Sequence, residues 1–307
     1  MNPLVQYDTV IVGGGPAGLT AALALTRYRR RTLVVESPAP PRNAASRGVH
    51  GMIGLEGATP AEVRARAWGE LDAYGLAERR HTVAEDVTPA GGGGFHVALE
   101  DGSTVRSRTV LLATGVIDVH PEGVEGFAEC WGRTVIHCPF CLGWENADRT
   151  WGLIADDPDY AATAATAFRA WTADVTAIAP PGMARAAQTR QALRAAGSDL
   201  VEGKIVRLHH HDGELHTVEM ADGARLKRQT LLWSPPQQQV PLVTRLTGTL
   251  GLALDEDGFI TTGPDKQTSV PGLYAAGDLT TAWEQGAMNA AGAGASAADA
   301  IHFAHTR

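Results

Sequence analysis

Six residues, Gly13-Gly14-Gly15-Pro16-Ala17-Gly18, constrain this chain more than any others. Residues 7–12, which read as a short buried strand, precede them, and a helix carrying Leu19, Ala22, Leu23 and Leu25 follows. A second apolar run, Thr32-Leu33-Val34-Val35, then ends in Glu36. Alone, the glycine pattern says little. In the order strand, turn, helix, strand, acid it specifies a dinucleotide-binding β-α-β unit. Gly13 makes the tight turn, Gly15 lets backbone approach a pyrophosphate, and Gly18 lets the helix pack on the sheet. Pro16 and Ala17 open that helix, whose N-terminus faces the phosphates. Glu36, 23 positions after Gly13 (36 − 13 = 23), can accept both ribose hydroxyls. The pattern does not separate FAD from NAD.

Further along, residues 60–74 predict a helix with a charged face of Glu62, Arg64, Arg66, Glu70 and Asp72. Strands are predicted at 95–99 and 103–112, joined by the turn Asp101-Gly102 and ending at Ala113-Thr114-Gly115. Residues 151–155 and 174–179 read as strands around a helix at 160–171. A strand pair like the earlier one recurs around Val218, Asp222-Gly223 and Thr230-Leu231-Leu232. The chain therefore reads as α/β with two Rossmann-like, three-layer ββα nucleotide-binding domains. Because Gly272 to Asp278 must return to complete the first, the second is inserted into it. The expected boundaries are 1–117 with 241–307 for one domain and 118–240 for the other.

The second copy lacks the phosphate loop. Where glycines are needed it reads Ala155-Asp156-Asp157-Pro158-Asp159-Tyr160, placing three carboxylates where a diphosphate would lie. Like charges ~4 Å apart repel by roughly 4 kcal/mol near a protein surface. The next strand is followed by Ala179-Pro180-Pro181-Gly182 and not by arginines. NADPH binding is therefore doubtful.

Two of the three cysteines form Cys138-Pro139-Phe140-Cys141. That spacing suits a reversible disulfide or half of a metal site. Zinc needs four ligands, and the remaining candidates are a lone Cys130 and the run His209-His210-His211 beside an Asp-Gly turn. Two buried apolar cysteines are the bland alternative. The redox reading is favoured because the nucleotide fingerprint can bring an electron acceptor to the pair, so no metal is expected. The net charge of −8 argues against nucleic acid or an anionic membrane as principal partner. No basic-then-apolar leader precedes the first strand and no apolar run is long enough to span a bilayer. A cytoplasmic enzyme is expected.

Taken together, the glycine fingerprint, Ala113-Thr114-Gly115, Cys138-Pro139-Phe140-Cys141-Leu142-Gly143-Trp144-Glu145 and Gly277-Asp278 resemble the low-molecular-weight thioredoxin reductases over essentially the whole chain. Asn43, His50-Gly51 and the helix at 60–74 look closer to the branch of FAD-dependent dithiol oxidases that close disulfides in gliotoxin, holomycin and related natural products. The resemblance implies FAD, with Asp278 on the ribityl chain and Arg42, Asn43 and Val83 among the contacts. Gly286, Ala287 and Met288 would begin a helix pointing at the flavin ring. It also implies that Cys141 packs against the flavin, that Cys138 faces a small dithiol, and that O2 leaves as H2O2. A homodimer is implied too. Leu142 departs from the pattern, because reductases carry Asp there and oxidases often His. His50 and His137 are the candidate bases in its place, and Trp144 and Trp283 are either pocket walls or core residues. The competing readings are a disulfide reductase fed by NADPH or another donor and serving a thioredoxin-like protein, and a flavin-binding redox sensor or carrier-binding protein with little turnover.

Overall fold

The computed structural model describes residues 6–155, 157–183 and 186–306. Contacts group the chain into two units, one of Met1–Ala44, Gly51–Ile117 and Gln237–Arg307, the other of Ala45–His50 and Asp118–Pro236. This grouping differs from the sequence boundaries in two places. Residues 45–50 go with the inserted unit, where Arg47 pairs with Glu214 at 3.0 Å and His50 with Glu145 at 3.4 Å. Residues 237–240 go with the first.

The first unit begins with β1 (Gln6–Val12), α1 (Pro16–Arg27), β2 (Thr32–Glu36), α2 (Pro60–Asp72), β3 (Ala77–His81), β4 (Ala84–Pro89), β5 (Phe95–Leu99) and β6 (Thr104–Leu112). The chain then runs through β7 (Ile117–Asp118) into the inserted unit. That unit holds α3 (Phe127–Cys130), β8 (Val135–Ile136), α4 (Pro139–Leu142), β9 (Trp151–Ile154), α5 (Pro158–Ala167), β10 (Val175–Ala179), α6 (Ala186–Ala195) and β11 (Asp199–Glu202). It continues with β12 (Ile205–His211), β13 (Glu214–Met220), β14 (Arg225–Leu226) and β15 (Thr230–Leu232). The return to the first unit supplies β16 (Gln237–Gln238), α7 (Pro241–Leu250), β17 (Leu273–Ala275) and α8 (Ala287–Ala304).

In the first unit the strands order β3-β2-β1-β6-β5-β4, with β17 also on β6. Nine-residue β6 serves two neighbours on one edge. Its first half pairs antiparallel with β5, and Val110–Leu112 pairs parallel with β17. The C-terminal half of β1, Val10-Ile11-Val12, is buried on both faces, which explains its apolar character. On one face Ile11, Val34 and Leu111 pack with Leu19, Ala22 and Leu25 of α1 and Ala297 and Ile301 of α8. On the other, Val10, Val12, Leu33 and Leu112 pack with Val87, Val97 and Val105 and with Leu242, Val243 and Leu246 of α7.

The inserted unit repeats the plan with a parallel sheet β11-β10-β9-β15-β8 and an antiparallel sheet β12-β13-β14. Trp151, Leu153, Ala165, Phe168, Leu193 and Leu200 fill one side, and Phe127, Trp131, Ile178, Leu208 and Val218 the other. Both units are Rossmann-like three-layer folds, the second inserted into the first. The helix expected at 60–74 ends at Asp72. That expected at 160–171 is α5 followed by a 3₁₀ turn, Phe168–Ala170, which Trp171 closes by donating to the Phe168 carbonyl at 2.9 Å. Among the described residues no helix is long and apolar enough to cross a membrane.

Two expectations follow from this packing. A methyl at Gly294 of α8 would collide with the Ala17 carbonyl of α1, so Gly294→Ala should lower stability by about 1–3 kcal/mol, read from the urea unfolding midpoint. The side chain of His305, just past α8, is 3 % exposed and stays neutral, its pKa pushed down to about 4 by burial and then by Arg108 and Arg30. Asp8, with Oδ1 3.9 Å from its Nδ1, opposes this weakly, and His302 adds to the depression. An unfolded histidine binds a proton near pH 6.5. Stability should therefore be complete above that pH and fall as the pH drops towards about 4. His305→Gln should flatten this part of the stability–pH curve, and an unchanged slope would exclude His305 as its source.

Candidate active site

In the first unit, a helix start without a side-chain cap defines a candidate cofactor cradle. Helix α1 is entered through Gly15 with no side-chain cap and Pro16 in its first turn. The first-turn N–H groups therefore point outward unmatched by a capping side chain. Space lies open around a Cβ built on Gly15, whereas one on Gly18 would strike the Gly13 carbonyl. The turn is thus close-packed behind and clear in front, where a diphosphate would rest. Ala17 is buried beside it. Gly13 has φ 114° and donates to the Val35 carbonyl at 2.9 Å, locking the turn to β2.

Glu36, at the end of β2, is only 2 % exposed. Its carboxylate meets Arg79 at 2.6 Å and Arg64 at 3.3 Å. Neither arginine was read as a site residue from the sequence, where Arg64 counted only as part of a charged helix face, because both lie on other elements. Val83 is half-buried after β3 and accepts from Glu100 N–H at 2.9 Å. Ala113 donates to Val12 and so continues β6 beside β1, while Thr114 and Gly115 are partly exposed at its C-terminal end.

Gly277 (φ 99°) turns β17 into Asp278. The Asp278 carboxylate accepts from Arg42 at 3.0 Å and from Gly286 N–H at 3.3 Å. Arg42 also donates to Gln285 at 2.7 Å. Asn43 is exposed. Helix α8 is entered, like α1, through a glycine, Gly286, without a side-chain cap; Ala287 is partly buried and Met288 exposed. Two uncapped helix starts, two braced carboxylates and an open glycine turn match the needs of FAD: a diphosphate, a ribose, a ribityl chain and an electron-rich ring edge.

The inserted unit carries the cysteine pair. Cys138 and Cys141 are joined by a disulfide across the single turn of α4. Cys141 packs against a core into which Leu142 is buried, with 8 % exposed. Leu142 thus serves packing where relatives by resemblance carry a base. Asn146, missed from sequence, anchors the turn. It is 2 % exposed, donates to the carbonyls of Leu142 (3.0 Å) and Arg133 (3.1 Å), and accepts from Thr230 at 2.9 Å. Its only signal was a polar residue four positions after Leu142.

His50 Nε2 stands 3.4 Å from the Glu145 carboxylate, and both residues line a small cavity with Leu142. His137 stacks on Trp131, with ring centroids 5.5 Å apart. Phe140 and Trp144 flank the disulfide and are each 81 % exposed. Trp283, in the first unit, is 84 % exposed, so neither tryptophan is a core residue. Cys130 is fully buried, its thiol pushed up to about 11 chiefly by desolvation, which suits packing and not exchange. Of the acidic stretch, Asp156 lies outside the described residues, as do the side chains of Pro158 and Asp159. Asp157 is exposed; its carboxylate accepts from Tyr160 N–H at 3.5 Å at the start of α5.

Residues 161–297 match the family described as Pyridine nucleotide-disulphide oxidoreductase, and residues 8–90 match FAD binding domain. Thioredoxin reductase tcpT of Claviceps purpurea (strain 20.1) is 32 % identical over 284 residues, covering 88 % of this chain and 86 % of that one. Thioredoxin reductase sirT of Leptosphaeria maculans is 30 % identical over 312 residues, covering 97 % and 94 %. The crystal structure of HlmI superposes with TM-score 0.86 at 32 % identity over 98 % of this chain and 93 % of that one. An oxidoreductase from Agrobacterium tumefaciens gives 0.87 at 29 % identity over 98 % and 99 %. With a glycine cradle in one unit, a cysteine pair in the other and relatives spanning nearly its full length, the chain belongs to the pyridine nucleotide-disulphide oxidoreductases and is a thioredoxin reductase-like FAD enzyme.

Proposed function

We propose that this enzyme is a dithiol oxidase, closing an intramolecular disulfide in a small-molecule dithiol of the natural-product kind, with O2 as final acceptor. The observation carrying the proposal is the start of the second nucleotide lobe. The carboxylate of Asp157 engages the first turn of α5, within a stretch with no glycine turn, where a nicotinamide dinucleotide needs open N–H groups. An enzyme supplied with electrons by its substrate has no use for that dinucleotide.

The sulfur chemistry balances on the chain's own residues. A substrate thiolate attacks Sγ of Cys138; the S–S bond breaks, Cys141 leaves as thiolate, and a mixed disulfide forms. The second substrate thiolate attacks the substrate sulfur of that mixed disulfide and expels the Cys138 thiolate. The substrate is then a disulfide, the protein a dithiol, and two electrons have crossed. FAD, when bound, would supply the two-electron acceptor that lets the cysteine pair close again, with O2 as the final acceptor, taking two electrons and two protons as H2O2.

Gly13, Gly15 and the first turn of α1 would hold the diphosphate, Glu36 the ribose and Asp278 the ribityl chain. His50 is the preferred proton acceptor. Its Nε2 stands 3.4 Å from the Glu145 carboxylate, which orients the ring, whereas His137 is held in an aromatic stack. Exposed Phe140 and Trp144 give an apolar substrate something to rest on beside the sulfurs. The proposal includes a homodimer in the cytoplasm, both carried over from the resemblance. The second reading, a disulfide reductase acting on a protein partner, is favoured by the names of the curated relatives.

Oxygen uptake should depend on an added dithiol and yield one H2O2 per disulfide formed. Cys138→Ser and Cys141→Ser should each fall to background. Normal turnover of dithiols by Cys141→Ala would contradict the exchange sequence. His50→Gln should lower kcat by about 100-fold, with a larger deficit at lower pH, where fewer substrate thiols ionise unaided. A parallel loss at all pH values would remove His50 from proton transfer.

A further inference from the structure

We infer that Arg79, braced against Trp68, is a positioning residue for the cofactor: it holds the Glu36 carboxylate towards the adenosine ribose and so sets how tightly FAD is retained. The inference rests on Glu36 being the ribose acceptor.

Three elements converge on that carboxylate. In the parallel pair β2 and β3, Val34 lies opposite Arg79 and Glu36 opposite His81. Two-residue alternation therefore puts Arg79 and Glu36 on one face of the sheet as diagonal neighbours. From α2, Arg64 and Trp68 reach the same face, one helical turn apart. Arg79 Nε donates to Glu36 Oε2 at 2.6 Å, Arg64 lies 3.3 Å from Oε1, and Trp68 Nε1 donates to Oε1 at 3.4 Å. His81 Nδ1 stands 3.9 Å from Oε2. The Arg79 guanidinium lies 4.9 Å from the centre of the Trp68 ring, which fixes its plane.

The backbone of the glycine turn closes the arrangement. Any side chain at Gly14 would run into the Glu36 carboxylate, so the acid lies directly over the loop that meets the diphosphate. A carboxylate at 2 % exposure needs its charge matched. The short Arg79 contact takes one of about four lone-pair directions. The two contacts to Oε1 are long. Capacity thus remains for ribose hydroxyls, in a direction set by Arg79. Without it, the carboxylate swings towards Arg64 and loses its aim.

The test is titration of FAD into flavin-stripped protein, followed by quenching of flavin fluorescence, in the wild type, Arg79→Met, Arg79→Lys, Glu36→Gln and the Arg79→Met/Glu36→Gln double variant. Arg79→Met should raise the Kd for FAD about tenfold, and Arg79→Lys by an intermediate factor, because an ammonium cannot reproduce the Nε contact. In the Glu36→Gln background Arg79→Met should add nothing. Affinity for FMN, which lacks the adenosine ribose, should be equal in all five proteins. An equal loss from Arg79→Met with or without Glu36 would overturn the inference, as would a parallel loss of FMN affinity or wild-type FAD affinity in Arg79→Lys. If Arg79→Met does not fold, Arg79→Lys decides. Wild-type FAD affinity in Glu36→Gln would instead sink the ribose reading itself.

Discussion

Helix α1 has no room on either side. Gly18 lies against the Gly13 carbonyl at the end of β1, and Gly294 of α8 lies against the Ala17 carbonyl, so backbone meets backbone at both surfaces. The alanines of α8 repeat the arrangement further along, where Ala290, Ala297 and Ala298 are buried. This close packing sets the start of α1 at the C-terminal edge of the sheet, where its uncapped first turn suits a phosphate. Larger residues here would separate the layers and move the cradle.

In this unit the two helices proposed to meet the cofactor start on glycine, whereas α2 and α7 start on Thr59 and Val240. Helices α1 and α8 begin at glycines with no side-chain cap. Helix α2 begins with a complete capping box between Thr59 and Glu62. Carboxylates follow a similar rule: Glu36 and Asp278 are each held by arginine before any cofactor arrives. Preorganisation of this kind lowers the ordering cost of binding. In the inserted unit, Asp157 engages the start of α5 and Leu142 joins the core, so two positions that could serve nicotinamide binding or proton transfer are used for local structure instead.

Much of this was legible in the sequence, because it rests on local rules. The glycine fingerprint placed α1, and the charged helix read at 60–74 is α2, two residues shorter at its end. The repeated strand pairs disclosed two similar units, one inside the other. What the sequence concealed depends on contacts between distant elements. Arg79 meets Glu36 across 43 positions and Asn146 meets Thr230 across 84. No periodicity marks such partners. Residues 45–50 carry no pattern of their own, and ion pairs with Glu145 and Glu214 draw them into the inserted unit. Leu142 could be seen to depart from its relatives, but only burial against Trp151 and Ile136 explains what it does.

The central claim is that electrons enter through a cysteine pair from a small dithiol and not from a nicotinamide. The most direct measurement is flavin absorbance under strict exclusion of oxygen, with NADPH added first and a dithiol second. The account predicts that the oxidised spectrum survives NADPH and bleaches with about one equivalent of dithiol per flavin. Rapid bleaching by NADPH, with no further change on adding dithiol, would contradict it.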